Sequence, residues 1–189
     1  MLYHASAVPG IDVLQPHVSN HDQPLVYLSS RRENVLVYLS NAVEKHCREN
    51  GFAWNGPWYK WASYGFSREG RLVLEEYYPN ATQETYKGVC GYIYHASETP
   101  FQEVMKDIPH AYISRQPVAV CGCECIPDAY DALLKAEAEG LLTIRRYEDM
   151  SDQTLAWLKK VIPREYDKAQ QHPDYRCFLQ SKFSFLIPG

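Results

Sequence analysis

Short apolar runs separated by Gly, Pro and Asn dominate the first three quarters of the chain. Runs of about four to eight residues rich in β-branched and aromatic side chains are typical of strands. The segment from Ala7 to Gln23 is polar and is interrupted by prolines and a glycine, which predicts a loop. The predicted strands are Leu2–Ala5, Leu25–Leu28, Arg71–Tyr77, Gly91–Ala96, Tyr112–Ile113, Val118–Cys125 and Leu141–Tyr147.

Helical periodicity occurs in fewer places. Ser30 followed by Glu33 predicts a capping box, and an apolar stripe that runs from Val35 to Cys47 predicts one helix that ends at Gly51. We predict three further helices: a short one that opens at Thr99-Pro100 with Gln102 as capping partner, one over Asp128–Glu139, and one from Ser151 to a break at Pro163.

The order of these elements predicts the fold class. Strands outnumber helices and do not alternate regularly with them, which favours an α+β fold with a mixed, mostly antiparallel sheet and flanking helices over a doubly wound one. At 189 residues the chain has the size of one domain. We therefore predict a single domain over residues 1–189, with a core over about 1–147 and a C-terminal helical extension over 148–189 packed on it.

Composition and charge narrow the function classes. The chain has 19 basic and 23 acidic residues and a net charge of −4, which disfavours a large nucleic-acid-binding face. No apolar stretch approaches the length of a membrane span, and the first residues lack a basic region and an apolar signal core. We expect a cytoplasmic protein without a membrane partner.

The six cysteines include the run Cys121-Gly122-Cys123-Glu124-Cys125. On an extended strand, residues two apart lie about 7 Å apart, so three sulfurs do not converge on a zinc ion. We expect reduced thiols, no metal site, and small buried core side chains in this run.

The residues with the most evident chemistry lie on the first two predicted strands. Tyr3-His4-Ala5-Ser6 and Val26-Tyr27-Leu28-Ser29 each place a polar ring on a strand and follow it with a small hydroxyl residue. His4 could hydrogen-bond a ribose, Tyr27 could stack on a flat ring, and Ser6 or Ser29 could bond an amide or a hydroxyl.

These two blocks resemble the first two motifs of the ADP-ribosyltransferase-like superfamily, a Tyr-His-(Gly/Ala)-(Ser/Thr) strand and a strand with Tyr before a small hydroxyl residue and a helix. The resemblance implies that NAD is the substrate, that His4 anchors a ribose or the nicotinamide amide, and that Tyr27 stacks on nicotinamide. It also implies ADP-ribosyl transfer to an acceptor such as a protein, or NAD cleavage.

The third motif of that superfamily is usually an acidic residue on a later strand, which stabilises the cation-like ribose as nicotinamide leaves. Ser114-Arg115-Gln116-Pro117-Val118 resembles the Ser-x-Glu-x-Val form of this motif, with the neutral Gln116 at the Glu position. Glu124 is the nearest acidic alternative and Glu76 a more distant one.

Two alternative functions remain open from the residues. A non-catalytic member of the same fold could bind a nucleotide or a protein. The guanidinium groups of Arg31 and Arg32, which follow the second motif, could bind the phosphate oxygens of a diphosphate. A thiol-dependent hydrolase would need a Cys–His pair; His46 and Cys47 point apart on a helix, whereas pairs such as Cys90 with His95 stay open. The tetrapeptide Tyr-His-Ala-Ser recurs at residues 94–97, and we interpret this as coincidence.

Overall fold

The computed structural model describes residues 1–18, 23–54, 56, 58–59 and 61–187. These residues form a mixed α+β structure with a mostly antiparallel main sheet and five α-helices. The strands are β1 (Leu2–Ser6), β2 (Val13–Leu14), β3 (His17–Val18), β4 (Pro24–Ser29), β5 (Ala62–Phe66), β6 (Leu72–Glu76), β7 (Gly91–Ala96), β8 (Gln102–Val104), β9 (Ala111–Ser114), β10 (Val118–Ile126) and β11 (Leu142–Arg145). The α-helices are α1 (Ala42–Glu49), α2 (Ala81–Tyr86), α3 (Ala129–Ala138), α4 (Asp152–Lys168) and α5 (Pro173–Lys182), and 3₁₀ helices span Glu33–Tyr38, Tyr147–Asp149 and Ala169–Gln171.

The main sheet has the order β2-β10-β7-β1-β4-β9-β8, with β3 paired to β4. All pairings between its described strands are antiparallel. The strands β11, β6 and β5 form a second sheet in that order. The α+β class and the mostly antiparallel sheet are therefore confirmed. The loop predicted over 7–23 contains the short strands β2 and β3, and its residues 19–22 lie outside the described residues.

Register and side-chain alternation define two faces of the main sheet. Paired residues of antiparallel strands share a face, and successive residues of one strand alternate between faces. The pairs Tyr3–Ser29, Tyr3–His95 and Glu124–Ile93 set the alignment across the four central strands. The first face carries Tyr3, Ala5, Tyr27, Ser29, Ile93, His95 and Glu124. The second face carries Leu2, His4, Ser6, Val26, Leu28, Tyr94 and Ala96.

The chain divides into two compact units, each assembled from three segments. Unit 1 comprises residues 1–39, 64–73 and 86–143, and unit 2 comprises 40–63, 74–85 and 144–189. The C-terminal segment that we expected as a helical extension contains α4 and α5, and it belongs to unit 2. Compact units can share one domain, so the single-domain organisation stays a prediction.

The first predicted helix is in fact two helices. Asn41 has an extended backbone, with φ −137° and ψ 123°, and its side chain accepts a hydrogen bond from the backbone N–H of Val43. It therefore caps α1, while the preceding 3₁₀ helix has already ended at Tyr38, and hydrophobic periodicity cannot reveal this interruption. Ser30 does not cap the 3₁₀ helix; its hydroxyl lies 3.4 Å from Nδ1 of His110.

Two other helix predictions were wrong. The Gln102 side chain accepts from the Thr99 N–H as expected, but the region after Thr99 forms a turn and then β8 instead of a helix. The helix that begins after Ser151 does not break at Pro163 but continues to Lys168. Leu158 and Ile162 are fully buried on this helix, and their packing can offset the roughly 3 kcal/mol cost of an internal proline.

Unit 2 has a strongly aromatic core. Trp61, Tyr175, Phe178 and Phe183 are buried there beside Leu158, and the indole N–H of Trp61 donates to the Tyr175 hydroxyl at 2.9 Å. A buried hydrogen bond between large rings satisfies polar atoms that would otherwise cost stability.

Candidate functional site

The two Tyr-His-Ala-Ser segments lie side by side in the main sheet. They are on β1 and β7, which are antiparallel, and the register pairs Tyr3 with His95 and His4 with Tyr94. Each tyrosine therefore stands beside the histidine of the other segment, one pair on each face of the sheet. Our interpretation of the repeat as coincidence missed this arrangement.

On the second face, Tyr94 is part of the packed core of unit 1, and His4 is partly buried beside it. Tyr94 is 1% exposed, and its hydroxyl donates to the Val8 carbonyl at 2.6 Å. Nδ1 of His4 lies 2.8 Å from the carbonyl oxygen of Tyr27, so Nδ1 carries the proton and donates. Burial lowers the pKa of His4, and this hydrogen bond opposes the effect only in part. His4 is therefore a neutral side chain that ties β1 to β4.

The pair on the first face belongs to a polar cluster, which we define as Tyr3, Arg32, His95 and Glu124. The rings of Tyr3 and His95 meet edge to face, with centroids 5.3 Å apart. Arg32 binds Glu124 at two points, Nε to Oε2 at 2.7 Å and Nη2 to Oε1 at 2.5 Å. This bonding lowers the pKa of Glu124 and raises that of Arg32, and the nearby His95 lowers the pKa of Glu124 further.

One atom of the polar cluster has an unmet hydrogen-bonding requirement. Nε2 of His95 is buried and has no hydrogen-bond partner among the residues that the structure describes. The ring occupies space that Gly122, opposite it on β10, leaves open, since a Cβ there would lie 3.1 Å from Nδ1. A buried polar atom without a partner is costly and points to a ligand or an ordered water.

Among the other predicted binding residues, only some share a face of the sheet with this cluster. Tyr27 and Ser29 share the first face with it, and the buried Ser29 hydroxyl accepts from the backbone N–H of Arg31 at 3.1 Å. Arg31 is about half exposed and lies 3.9 Å from Glu33. Ser6 lies on the second face, where its hydroxyl accepts from the N–H of Val8. Of these predicted residues, Tyr27 and Ser29 lie on the face of the polar cluster.

The structure does not bring the side chains of His4 and Tyr27 together. They project from opposite faces, and their contact is through the Tyr27 backbone. Glu124 shares the face of Tyr27, but β7 and β1 lie between their strands, which separates them by about 14 Å at 4.8 Å per strand. No single sugar ring can contact all three side chains.

The other two candidates for the third motif lie elsewhere. Gln116 is exposed beyond the end of β9, and its backbone N–H and carbonyl both bond the Ser114 hydroxyl. Glu76 belongs to unit 2, where its carboxylate accepts from the backbone N–H groups of Thr82 and Tyr147. Glu76 therefore satisfies backbone donors in unit 2.

The cysteines correct one prediction and add one pair. Cys121, Cys123 and Cys125 are exposed, so the expected burial of this run was wrong. One edge of β10 pairs with β7, whereas on its other edge the short strand β2 pairs only with Val118 and Ala119. In unit 2, Sγ of Cys177 lies 3.7 Å from Nε2 of His46. The two residues are 131 positions apart, and only the packing of α5 on α1 brings them together.

Three further observations concern membrane spans, metal ions and similarity to known proteins. No helix within the described ranges is both long and apolar enough to cross a membrane. Within the part of the chain that the structure describes, no three His, Cys, Asp or Glu side chains are grouped to hold a metal ion. The chain matches no protein-family model, no curated protein and no solved structure.

Proposed function

We propose that unit 1 binds a nucleotide with a ribose and a diphosphate, NAD being the first candidate, at the polar cluster, and that it does not transfer ADP-ribose. The observation that carries the proposal is the buried, unpartnered Nε2 of His95 beside the two-point Arg32–Glu124 pair. Together these groups offer donors and acceptors to a polar ligand in a partly buried position.

The hydrogen-bonding capacity of the cluster matches a ribose. A guanidinium has five N–H donors, and Arg32 uses two on Glu124, so three remain for a ligand. Each carboxylate oxygen of Glu124 can accept a second hydrogen bond, as from a sugar hydroxyl. Nε2 of His95 can bond a hydroxyl in either tautomer, because a hydroxyl both donates and accepts.

The charges and rings near the cluster match the rest of a dinucleotide. Arg31 precedes Arg32 in the chain and is about half exposed, so its guanidinium can pair with a phosphate. Tyr3 and Tyr27 are on the same face and offer rings for stacking on a flat base. Glu33 and Glu124 oppose an anion, which argues for modest affinity.

We also propose the ADP-ribosyltransferase-like fold for unit 1. In support, the strand with Tyr-His-Ala-Ser lies beside the strand with Tyr27 and Ser29, and a helical segment follows the second strand. Both features agree with the motif order of the superfamily.

Binding without transfer follows from the charges. Departure of nicotinamide requires a carboxylate near the ribose that becomes positive. Glu124 is already paired with a guanidinium and stands about 14 Å from the Tyr27 strand position, whereas Gln116 is neutral.

The test is calorimetry with NAD on the wild type and on His95→Ala, Arg32→Ala and Tyr27→Ala. Loss of one hydrogen bond predicts about 3- to 10-fold weaker binding for His95→Ala, and loss of a charged donor predicts more than about 10-fold for Arg32→Ala. Arg115→Ala is the control, since Arg115 pairs with Glu103 on the β8–β9 edge, and it should bind as the wild type.

Either of two results would overturn the proposal: no NAD binding by the wild type, or equal binding by all variants. Nicotinamide release should stay at the level of the buffer. Release that depends on Tyr27 would instead favour ADP-ribosyl transfer or NAD cleavage, and the acceptor would then be sought among proteins.

A further inference from the structure

Unit 2 contains a thiol and an imidazole in contact beside an open groove. Cys177, on α5, is partly exposed, and its Sγ lies 3.7 Å from Nε2 of His46 on α1. The groove beside the thiol is lined by Tyr166, Gln170, Pro173, Arg176, Gln180 and Ser181. The sulfur therefore has a base on one side and access for a small molecule on the other.

We propose that Cys177 is a thiol–disulfide exchange site for low-molecular-weight disulfides that carry carboxylates, with His46 as the base. The proposal is independent of nucleotide binding by unit 1. Acyl transfer by a cysteine would also need hydrogen-bond donors directed at the oxyanion of its intermediate. Thiol–disulfide exchange needs only a thiolate, a group that accepts its proton, and access of the disulfide to the sulfur.

The surroundings fix the orientation of the base. His46 is buried, its ring packs edge to face on Phe178 with centroids 5.4 Å apart, and the Asn50 amide lies 3.4 Å from both ring nitrogens. Burial, with a smaller effect of Lys182, lowers the pKa of His46, so the ring is neutral at pH 7. A neutral imidazole with its lone pair on Nε2 can accept the proton of Cys177.

The step balances in atoms and electrons. The Cys177 proton passes to Nε2 of His46, and the thiolate attacks one sulfur of the small disulfide. The S–S bond of the disulfide breaks, a new S–S bond joins Cys177 to one half, and the departing thiolate takes the proton from His46. One thiol and one disulfide become one mixed disulfide and one thiol.

The charge beside the groove selects the substrate class. Arg176 precedes Cys177, and its guanidinium stacks 4.2 Å above the Tyr166 ring at the edge of the groove. A cation held in place by an aromatic ring attracts carboxylates. Anionic disulfides should therefore react faster than neutral ones.

The other five cysteines of the chain serve as internal controls for the reactivity of Cys177. Cys90, Cys121, Cys123 and Cys125 are exposed and have no imidazole contact within hydrogen-bond distance among the described residues, so they report the reactivity of an accessible thiol without a neighbouring imidazole base. Cys47 is fully buried, and burial raises its pKa to about 11, so it should not react.

The experiment treats the reduced, full-length protein at pH 7.0 with oxidised glutathione, quenches with acid, and maps mixed disulfides by peptide mass spectrometry over time. Cys177 should react at least about tenfold faster than each exposed thiol, since a positioned base commonly contributes 10²- to 10⁴-fold. His46→Gln should remove this advantage. Bis(2-hydroxyethyl) disulfide, a neutral probe, should react more slowly than oxidised glutathione with the wild type, and Arg176→Gln should remove that difference.

The proposal is overturned if Cys177 of the wild type reacts no faster than the exposed thiols, a result that requires no variant to fold. It is also overturned if His46→Gln, with an unchanged circular dichroism spectrum, keeps the wild-type rate. Equal rates for the two disulfides would overturn the assignment of the anionic class.

Discussion

The two tyrosine–histidine pairs of β1 and β7 have the same residues in the same strands, yet opposite surroundings. His4 and Tyr94 face a packed cluster, and both bond backbone carbonyls. Tyr3 and His95 face an ion pair, and Nε2 of His95 has no partner among the described residues. The surroundings, and not the motif, therefore decide which histidine is structural. On the second face the Tyr27 carbonyl accepts from His4 and the Val8 carbonyl accepts from Tyr94, whereas on the first face Arg32 bonds Glu124 and leaves Nε2 of His95 unpartnered among the described residues.

The largest difference between the pairs should come from their tyrosines. Tyr94→Ala removes a fully buried ring and should lower the free energy of unfolding by about 3–5 kcal/mol. Tyr3→Ala, at a half-buried ring, should lower it by about 1 kcal/mol. Urea unfolding of both variants measures this, and equal losses would show that the two faces are packed alike.

Substitution of the second-face histidine should also lower the free energy of unfolding more than substitution of the first-face histidine, but by a smaller margin than for the tyrosines. His4→Ala leaves the Tyr27 carbonyl without its donor and should cost about 1–3 kcal/mol of unfolding free energy. His95→Ala removes an atom that has no partner and should cost less than about 1 kcal/mol. If the His95 variant is the less stable of the two, the assignment of structural and binding roles is reversed.

The burial of His4 should contribute to the pH dependence of the unfolding free energy. Burial places its folded pKa below 6.5, so the unfolded chain takes up the proton first as the pH falls. Its contribution is complete above pH 6.5 and is lost as the pH falls through the folded pKa. His4→Gln should therefore show a shallower loss of stability than the wild type between pH 7.5 and 5. His46 contributes with the same sign in both proteins, so identical slopes would mean that His4 is not buried as described.

The smallest effect should come from the ion pair of the polar cluster. Both partners are more than a third exposed, and such pairs contribute about 0.2–1 kcal/mol to stability. Glu124→Gln should change the unfolding free energy by no more than Glu75→Gln, which weakens the comparable Arg145–Glu75 pair. A loss above about 2 kcal/mol would identify the pair as a structural element.

Much of the sheet could be predicted from the sequence, whereas the site could not. The bounds of β7 were predicted without error, because turn residues flank a short aromatic run. The faces of His4 and Tyr27 depend on which strands become neighbours and in what register, and a single sequence does not contain that information. The contact of Cys177 with His46 likewise depends on the packing of two helices that are far apart in the chain. Only the repeated tetrapeptide signalled the cluster: identical segments that pair antiparallel place Tyr beside His.

The alternation of the chain between the two units has a consequence for synthesis. Six consecutive segments belong in turn to unit 1 and unit 2, so neither unit is a continuous stretch of polypeptide. Strand β1 can pair with β7 only after Gly91–Ala96 has been synthesised. The other edge of β7 stays unpaired until β10 has been synthesised as well. Such distant pairings slow folding and leave strand edges exposed on the ribosome. Neither unit can be obtained by a single truncation, and a premature stop before residue 118 would release a sheet that lacks one of its central strands.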